Sequence, residues 1–188
     1  MAAKLDMSKA FDRVEWSFID KVMRRMGFNE SWIGLVMKCI TSITYLIIIN
    51  GSVHGCIVPT RGLRQGDPLS PYLFLLCAEG FSAFINELTR CHQLNGISIS
   101  RGAPKFSHLF FADDSLLFCK ANGAECNKLM EILRIYESAS GQKINTEKSL
   151  IFFSPNISQE CKDEILSILG PMNDSRHTKY LGLPFIIG

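Results

Sequence analysis

The sequence predicts an α+β fold, an antiparallel sheet with helices packed on one face, and three observations carry that expectation. Apolar residues recur at helical spacing in separate stretches, Leu73, Cys77, Phe81, Phe84 and Leu88 being one such row. Runs of β-branched and aromatic residues surround Asn50-Gly51, the strongest short hairpin signal. Phe110 to Phe118, FFADDSLLF, sets two adjacent aspartates between short apolar runs, the pattern of a second hairpin with Asp113 and Asp114 at its tip. Strand, helices, hairpin, loop, helix, second hairpin, helix and strands succeed one another without repeat or linker, so residues 1–188 are expected to form a single domain.

The first strand ends at Lys4 to Asp6, and the next stretch has helical period: Val14, Phe18, Val22 and Met26 share a face with Ile19 and Met23, and Gly27 stops the run. Asp6 thus stands at a predicted strand-to-helix junction, where an aspartate either caps the helix or joins a second acidic site. Asn29 is the expected cap of a second helix buried through Trp32, Leu35, Val36, Cys39 and Ile40. The Ser42–Pro59 hairpin comes after it, and then Gly62 to Pro71, GLRQGDPLSP, a loop whose glycines let backbone approach a ligand while Arg64 and Gln65 offer donors to phosphate or base. The same stretch equally reads as an ordinary loop before a helix capped by Ser70 with Pro71 in its first turn.

Beyond a turn at Gly96, Ile97 and Ile99 predict a strand before the Asp-Asp hairpin. The next helix buries Cys126, Leu129, Met130, Leu133 and Tyr136 and ends at Gly141; Lys143 to Lys148 is a polar loop, and Leu150 to Phe153 a strand. Ser158 to Leu169 is a short helix with acidic residues at its start, where the helix dipole favours anions. Lys179 to Ile187 reads as a last strand.

A 47% apolar content with 20% charged residues is that of an ordinary globular protein, and a net charge of +2 permits a nucleic-acid partner without requiring one. Seven scattered cysteines with no pair at zinc-site spacing predict buried free thiols in a reducing compartment, and His54, His108 and His177 have no evident partners. With no targeting segment visible and no apolar run of membrane-spanning length, the expected location is intracellular, in nucleus or cytoplasm, with no membrane association.

Two adjacent carboxylates between apolar runs repel each other and lose solvation, so either water reaches the tip or cations neutralise it. A sheet that brings Asp6 beside Asp113 would let carboxylates from separate elements hold two divalent ions, the arrangement of phosphoryl transfer. The three carboxylates are expected to converge with no positive side chain between them.

Five segments in order, Leu5 to Trp16 (LDMSKAFDRVEW), Gly62 to Phe74 (GLRQGDPLSPYLF), Phe111 to Asp114 (FADD), Gly141 to Ser149 (GQKINTEKS) and Lys179 to Pro184 (KYLGLP), resemble the successive palm motifs of a reverse transcriptase. The resemblance is to the non-LTR, LINE-type retrotransposon enzymes, especially those of plants. It implies a polymerase palm-like sheet and an RNA-directed DNA polymerase that transfers nucleotides from dNTP to a primer 3′-hydroxyl by two-metal chemistry. Asp6 and Asp113 would be the principal metal ligands with Asp114 beside them, and two Mg2+ ions the cofactors, with Mn2+ as a substitute. Phe11 matches the bulky gate against a ribose 2′-hydroxyl, a position that a core aromatic would fill equally well. Arg64, Gln65 and Gly66 fall in the loop against the incoming nucleotide and template base. Lys148 matches a lysine proposed to protonate departing pyrophosphate, and Tyr180, Leu181 and Gly182 match the hairpin under the primer end.

The resemblance also implies partners: an RNA template, a DNA primer, and the fingers and thumb of a larger polyprotein. These are expected to lie outside this chain, since five residues precede Asp6 and the motifs run nearly to Gly188. By itself the chain is therefore expected to polymerise little. The alternative reading is a catalytically inactive retrotransposon remnant that binds nucleic acid or protein; a metal-dependent phosphohydrolase would account for the aspartates but not for GLRQGDPLSP or KYLG.

Overall fold

The computed structural model describes residues 1–98, 100–111, 114–170, 172–174, 179–180 and 183–184. The chain forms two compact units, each discontinuous in sequence: Met1–Ser8, Phe81–Ile135 and Ile144–Gly188 make one, Lys9–Gly80 and Tyr136–Lys143 the other.

The first unit is built on a five-stranded sheet. Its strands are β1 (Ala2–Leu5), β7 (His108–Phe111), β8 (Asp114–Phe118), β10 (Leu150–Phe152) and β11 (Asn173–Asp174), in the order β11-β10-β1-β8-β7. Every pairing is antiparallel except that of β10 with β11. Central β1 pairs Ala3 with Ile151 on one side and Leu117 on the other, and these residues, with Leu5, are almost completely buried. Because strand side chains alternate, His108 and Phe110 share that face. There the second half of α3 (Ser70–Arg90) packs: the rings of Phe81 and Phe110 stack at 5.3 Å, and Ser82 Oγ lies 2.8 Å from His108 Nε2. The other hydroxyl against that imidazole is Ser107 Oγ, 2.9 Å from Nδ1, so His108, expected to lack partners, is held on both ring nitrogens. On the opposite face Ala2, Leu116, Phe118 and Phe152 form a smaller apolar cluster. Two helices of this unit, α4 (Gly123–Ser140, through its residues up to Ile135) and α5 (Gln159–Leu169), bury Cys126, Leu129, Ile132 and Leu133, and Ile165 and Leu169. Ser158, expected as the first residue of the helix, instead caps α5 by accepting from Cys161 N.

The second unit begins with five turn residues behind β2 (Met7–Ser8), and α1 starts only at Trp16 (Trp16–Arg25). Asp6 is therefore not at a strand-to-helix junction, and the helix-cap reading is removed. Val14, although fully buried, precedes the helix instead of belonging to it. Asn29 caps α2 (Glu30–Thr41) through Ser31 N, as expected, but the buried stripe is Ile33, Val36 and Ile40. Trp32, Leu35 and Cys39 are exposed, because the helix is apolar on more than the one side that packs. The hairpin of β3 (Tyr45–Ile49) and β4 (Ser52–Ile57) turns at Asn50 and Gly51, both at positive φ, the conformation that an Asn-Gly turn favours.

In α3 the buried row is Leu73, Phe74, Cys77, Phe81 and Ile85; Phe84, which the spacing placed inside, is exposed. Short strands β5 (Ile97–Ser98) and β6 (Lys105–Phe106) pair with each other, and Ile99 lies outside the described residues. Lys143–Ile144, expected as loop, is a two-residue strand, β9. The expected last strand is a pair, β12 (Lys179–Tyr180) antiparallel to β13 (Leu183–Pro184). Of the cysteines, all free, Cys77, Cys119 and Cys126 are buried, whereas Cys39, Cys56 and Cys91 are exposed. Among the described residues no helix is long and apolar enough to cross a membrane.

Candidate active site

Strand register carries the two described aspartates to the same end of the sheet. In β1 and β8 the partners are Ala2 with Phe118, Ala3 with Leu117, Lys4 with Leu116 and Leu5 with Ser115. Asp6 directly follows Leu5 and Asp114 directly precedes Ser115, so the two aspartates stand at the same end of neighbouring antiparallel strands. Both are half-buried. Asp114 is the first residue of β8 and pairs with Phe111, so it belongs to the strand and not to a hairpin tip; Asp113 lies outside the described residues.

The backbone of Asp6 is held from a distant part of the chain. Its amide donates to Ser149 Oγ at 3.1 Å, and its carbonyl accepts from Asn145 N at 2.8 Å. Ser149 Oγ in turn donates to Asn145 O at 2.7 Å and is fully buried. The KINTEK turn is thus a clamp on the first aspartate. Its Lys148 is exposed, with its amide donating to Asn145 O at 3.2 Å.

Lys4 departs from the expectation of a purely negative cluster. Its Nζ lies 3.2 Å from Asp114 Oδ1, so a cation already neutralises one of the aspartates. Among the described residues there is no group of three or more metal-ligating side chains. The donors that are described nevertheless suit a hard divalent cation: carboxylate oxygens on adjacent strands, held by their main chain and open in part to solvent.

In the second unit, the half-buried ring of Phe11 stacks on Phe74 at 4.6 Å with an interplanar angle of 11°. The glycine-rich loop is tied beneath it: Leu63 N donates to Phe11 O at 2.9 Å, Gly62 N to Val14 O at 2.8 Å, and Trp16 Nε1 to Gly62 O at 2.7 Å. Gly62 has φ +93°, and a Cβ there would lie 2.7 Å from Asp12 O, so only glycine fits. Arg64, Gln65 and Gly66 are exposed at the bend, and Asp67 closes it by accepting from Leu69 N through Oδ1 at 2.8 Å. Arg64 also lines a cavity of about 270 Å3 with Asp12, Trp16, Tyr45 and Arg61. Gln142 anchors the preceding turn, donating from Nε2 to Ala10 O at 3.1 Å while its Oε1 accepts from the Tyr136 hydroxyl.

Tyr180 pairs with Leu183 at the base of the C-terminal hairpin, and Leu181 and Gly182 lie outside the described residues. Sequence reasoning missed Lys4, Asn145 and Ser149 beside the aspartates of the first unit, and Gln142 and Phe74 beside Ala10 and Phe11 in the second. The period-2 spacing of Lys4 and Asp6 could have pointed to Lys4; the other four lie inside the segments Gly62 to Phe74 and Gly141 to Ser149, but their individual roles depend on contacts with distant parts of the chain.

The chain resembles known proteins along nearly its whole length. Residues 1–185 match the family model described as reverse transcriptase (RNA-dependent DNA polymerase). An uncharacterized mitochondrial protein of Arabidopsis thaliana is 51% identical over 70 residues, 37% of this chain and 57% of that protein. A retrovirus-related Pol polyprotein from a type-1 retrotransposable element R2 of Popillia japonica is 29% identical over 96% of this chain, which spans 30% of the polyprotein. Among solved structures, telomerase from Candida tropicalis, in complex with a fragment of telomeric RNA, superimposes with a TM-score of 0.61 at 14% identity, covering 79% of this chain and 25% of the telomerase. That likeness shows a polymerase palm-like fold. With a matching family model over residues 1–185 and relatives among R2 polyproteins, the chain belongs to the reverse transcriptase family, in its non-LTR retrotransposon branch.

Proposed function

We propose that this chain is the palm, a single functional domain, of an RNA-directed DNA polymerase that adds deoxynucleotides from dNTP to a primer 3′-hydroxyl on an RNA template. The observation that supports the reading is the β1–β8 register, which brings Asp6 and Asp114 to the same end of two neighbouring strands. Asp6 and Asp113, with Asp114, would hold two Mg2+ ions, which would lower the pKa of the attacking hydroxyl and neutralise charge on the leaving oxygens. The Asn145–Ser149 clamp fixes the Asp6 backbone so that its carboxylate meets the primer end in one orientation.

Phe11, braced by Phe74, would act as the bulky gate against a ribose 2′-hydroxyl, and the ring stack that holds it supports that role. Arg64 and Gln65 supply exposed donors to the nucleotide, and Gly66, at φ +83° with open space around it, lets the backbone come close. The exposed amine of Lys148 donates a proton to pyrophosphate as it leaves, and Tyr180, Leu181 and Gly182 support the primer end. Template and primer are gripped by fingers and thumb supplied by a longer polyprotein, of which a chain of this length is 30% in the Popillia japonica relative.

The test replaces the palm of a related polymerase by this chain and measures DNA primer extension on RNA. Extension is expected, and Asp6→Asn or Asp113→Asn should slow it by at least about a hundredfold, because losing a metal ligand removes several kcal/mol of transition-state stabilisation. A chimera that extends primers equally well with Asp113→Asn would overturn the proposal.

A further inference from the structure

Lys4 stands two residues before Asp6, so strand alternation puts both on one face of β1, the face that carries Ala2. Its cross-strand partners are Leu116 in β8 and Leu150 in β10, both part of the apolar cluster on that face. The lysine stem therefore runs between leucines, where an apolar side chain would pack as well, and its ammonium reaches diagonally to Asp114 at 3.2 Å. The ammonium side chain is 20% exposed and the carboxylate 30%, so solvent only partly screens the pair.

We propose that Lys4 is a positioning residue of the carboxylate site, a built-in cation that holds Asp114 while no divalent ion is bound and competes with the ion for that carboxylate. The inference rests on the metal reading of Asp6, Asp113 and Asp114. Adjacent carboxylates repel, and an ammonium on Asp114 relieves that repulsion, keeping the ends of β1 and β8 in register. An arriving ion must share Asp114 with the ammonium or displace it. Lys4 thus sets divalent affinity below the value that the carboxylates alone would give, and Asp114 serves as the exchangeable partner while Asp6 is held in place.

The experiment is Mn2+ binding to the purified chain, read by water-proton relaxation at low ionic strength, with thermal unfolding as a check that each variant folds. Lys4→Met should bind Mn2+ roughly three- to fivefold more tightly than wild type, the upper end of the scale of one partly exposed charge pair. Lys4→Gln should do the same should the methionine variant not fold, and Lys4→Arg, which keeps the charge, should stay near wild type. In an Asp114→Asn background the effect of Lys4→Met should shrink below about twofold, because the competing partner is gone. Unchanged or weaker binding in folded Lys4→Met and Lys4→Gln overturns the role of Lys4. Asp6→Asn separates the two ideas: if it binds Mn2+ as wild type does, the metal reading itself fails, whereas reduced binding there with no effect at Lys4 removes the lysine inference alone.

Discussion

The amide of Asp6 donates to the hydroxyl of Ser149 across 143 residues of chain, joining the first acidic segment to the turn after α4. Ser149 is completely buried, so the hydroxyl answers an amide that water does not reach easily. Ser149→Ala leaves that amide without its acceptor and should lower stability by about 1–2 kcal/mol, with the Asn145 contact still in place. Urea unfolding of the two proteins measures the difference; equal midpoints would show that the amide finds another partner.

The two glycines of the GLRQG loop should respond unequally. Gly62→Ala forces a Cβ against Asp12 O at positive φ and should cost more than about 2 kcal/mol, displacing the loop that carries Arg64 and Gln65. Gly66 shares the positive φ but has nothing within 4 Å, so Gly66→Ala should cost only about 1 kcal/mol. Thermal unfolding of both variants decides it, and equal losses would contradict the close approach at Gly62.

If Phe11 is the proposed gate, Phe74 should matter to sugar selection although it lies at a distance in sequence from Phe11. Removing its ring by Phe74→Leu frees Phe11 to turn, and the palm chimera should then incorporate ribonucleotides more readily, by roughly the fivefold that about 1 kcal/mol of lost aromatic stacking permits. Competition between rNTP and dNTP in primer extension gives the ratio. Discrimination unchanged in Phe74→Leu but lost in Phe11→Ala would confine the gate to Phe11.

Stability should fall in alkali. Burial pushes the Cys77 thiol up to about 12 from its ordinary 9.0, and burial is also the first cause that raises the Tyr136 phenol above its ordinary 10.0. Both groups keep in the folded chain a proton that the unfolded chain gives up. Their contribution is fully present below about pH 9 and is lost as pH rises from 9 toward 12. The urea midpoint should be flat near about pH 8 and clearly lower near about pH 10.5, and Cys77→Ala should weaken that dependence. A midpoint equal at both values would mean that these groups ionise without opposition in the folded state.

Much of the fold was legible because it rests on local patterns. The Asn50-Gly51 turn needs φ above zero at both residues, and the cap at Asn29 needs a side-chain acceptor beside a free amide, so each declares itself within a few residues. The segments that resemble a reverse transcriptase were likewise visible in order, and the family match over residues 1–185 agrees with them. Burial was less legible. Trp32, Leu35 and Phe84 are apolar at helical spacing, yet exposed, because periodicity locates an apolar face but not how wide a part of it a neighbour covers. The length of the turn after β2 was also hidden, and with it the distance of Asp6 from the first helix.

By itself, the sequence determined which side chains are acidic, which turns need glycine or asparagine, and which family pattern the chain carries. Only the tertiary structure decided that Asp6 and Asp114 stand at the same end of neighbouring strands, that Lys4 neutralises Asp114, that Asn145 and Ser149 hold the Asp6 backbone, and that Gln142 and Phe74 contact Ala10 and Phe11. The physical reason is range. A turn or cap is fixed by dihedral preferences and hydrogen bonds within a few residues, whereas cross-strand register and side-chain contacts between distant parts of the chain arise only when collapse buries the whole sheet at once.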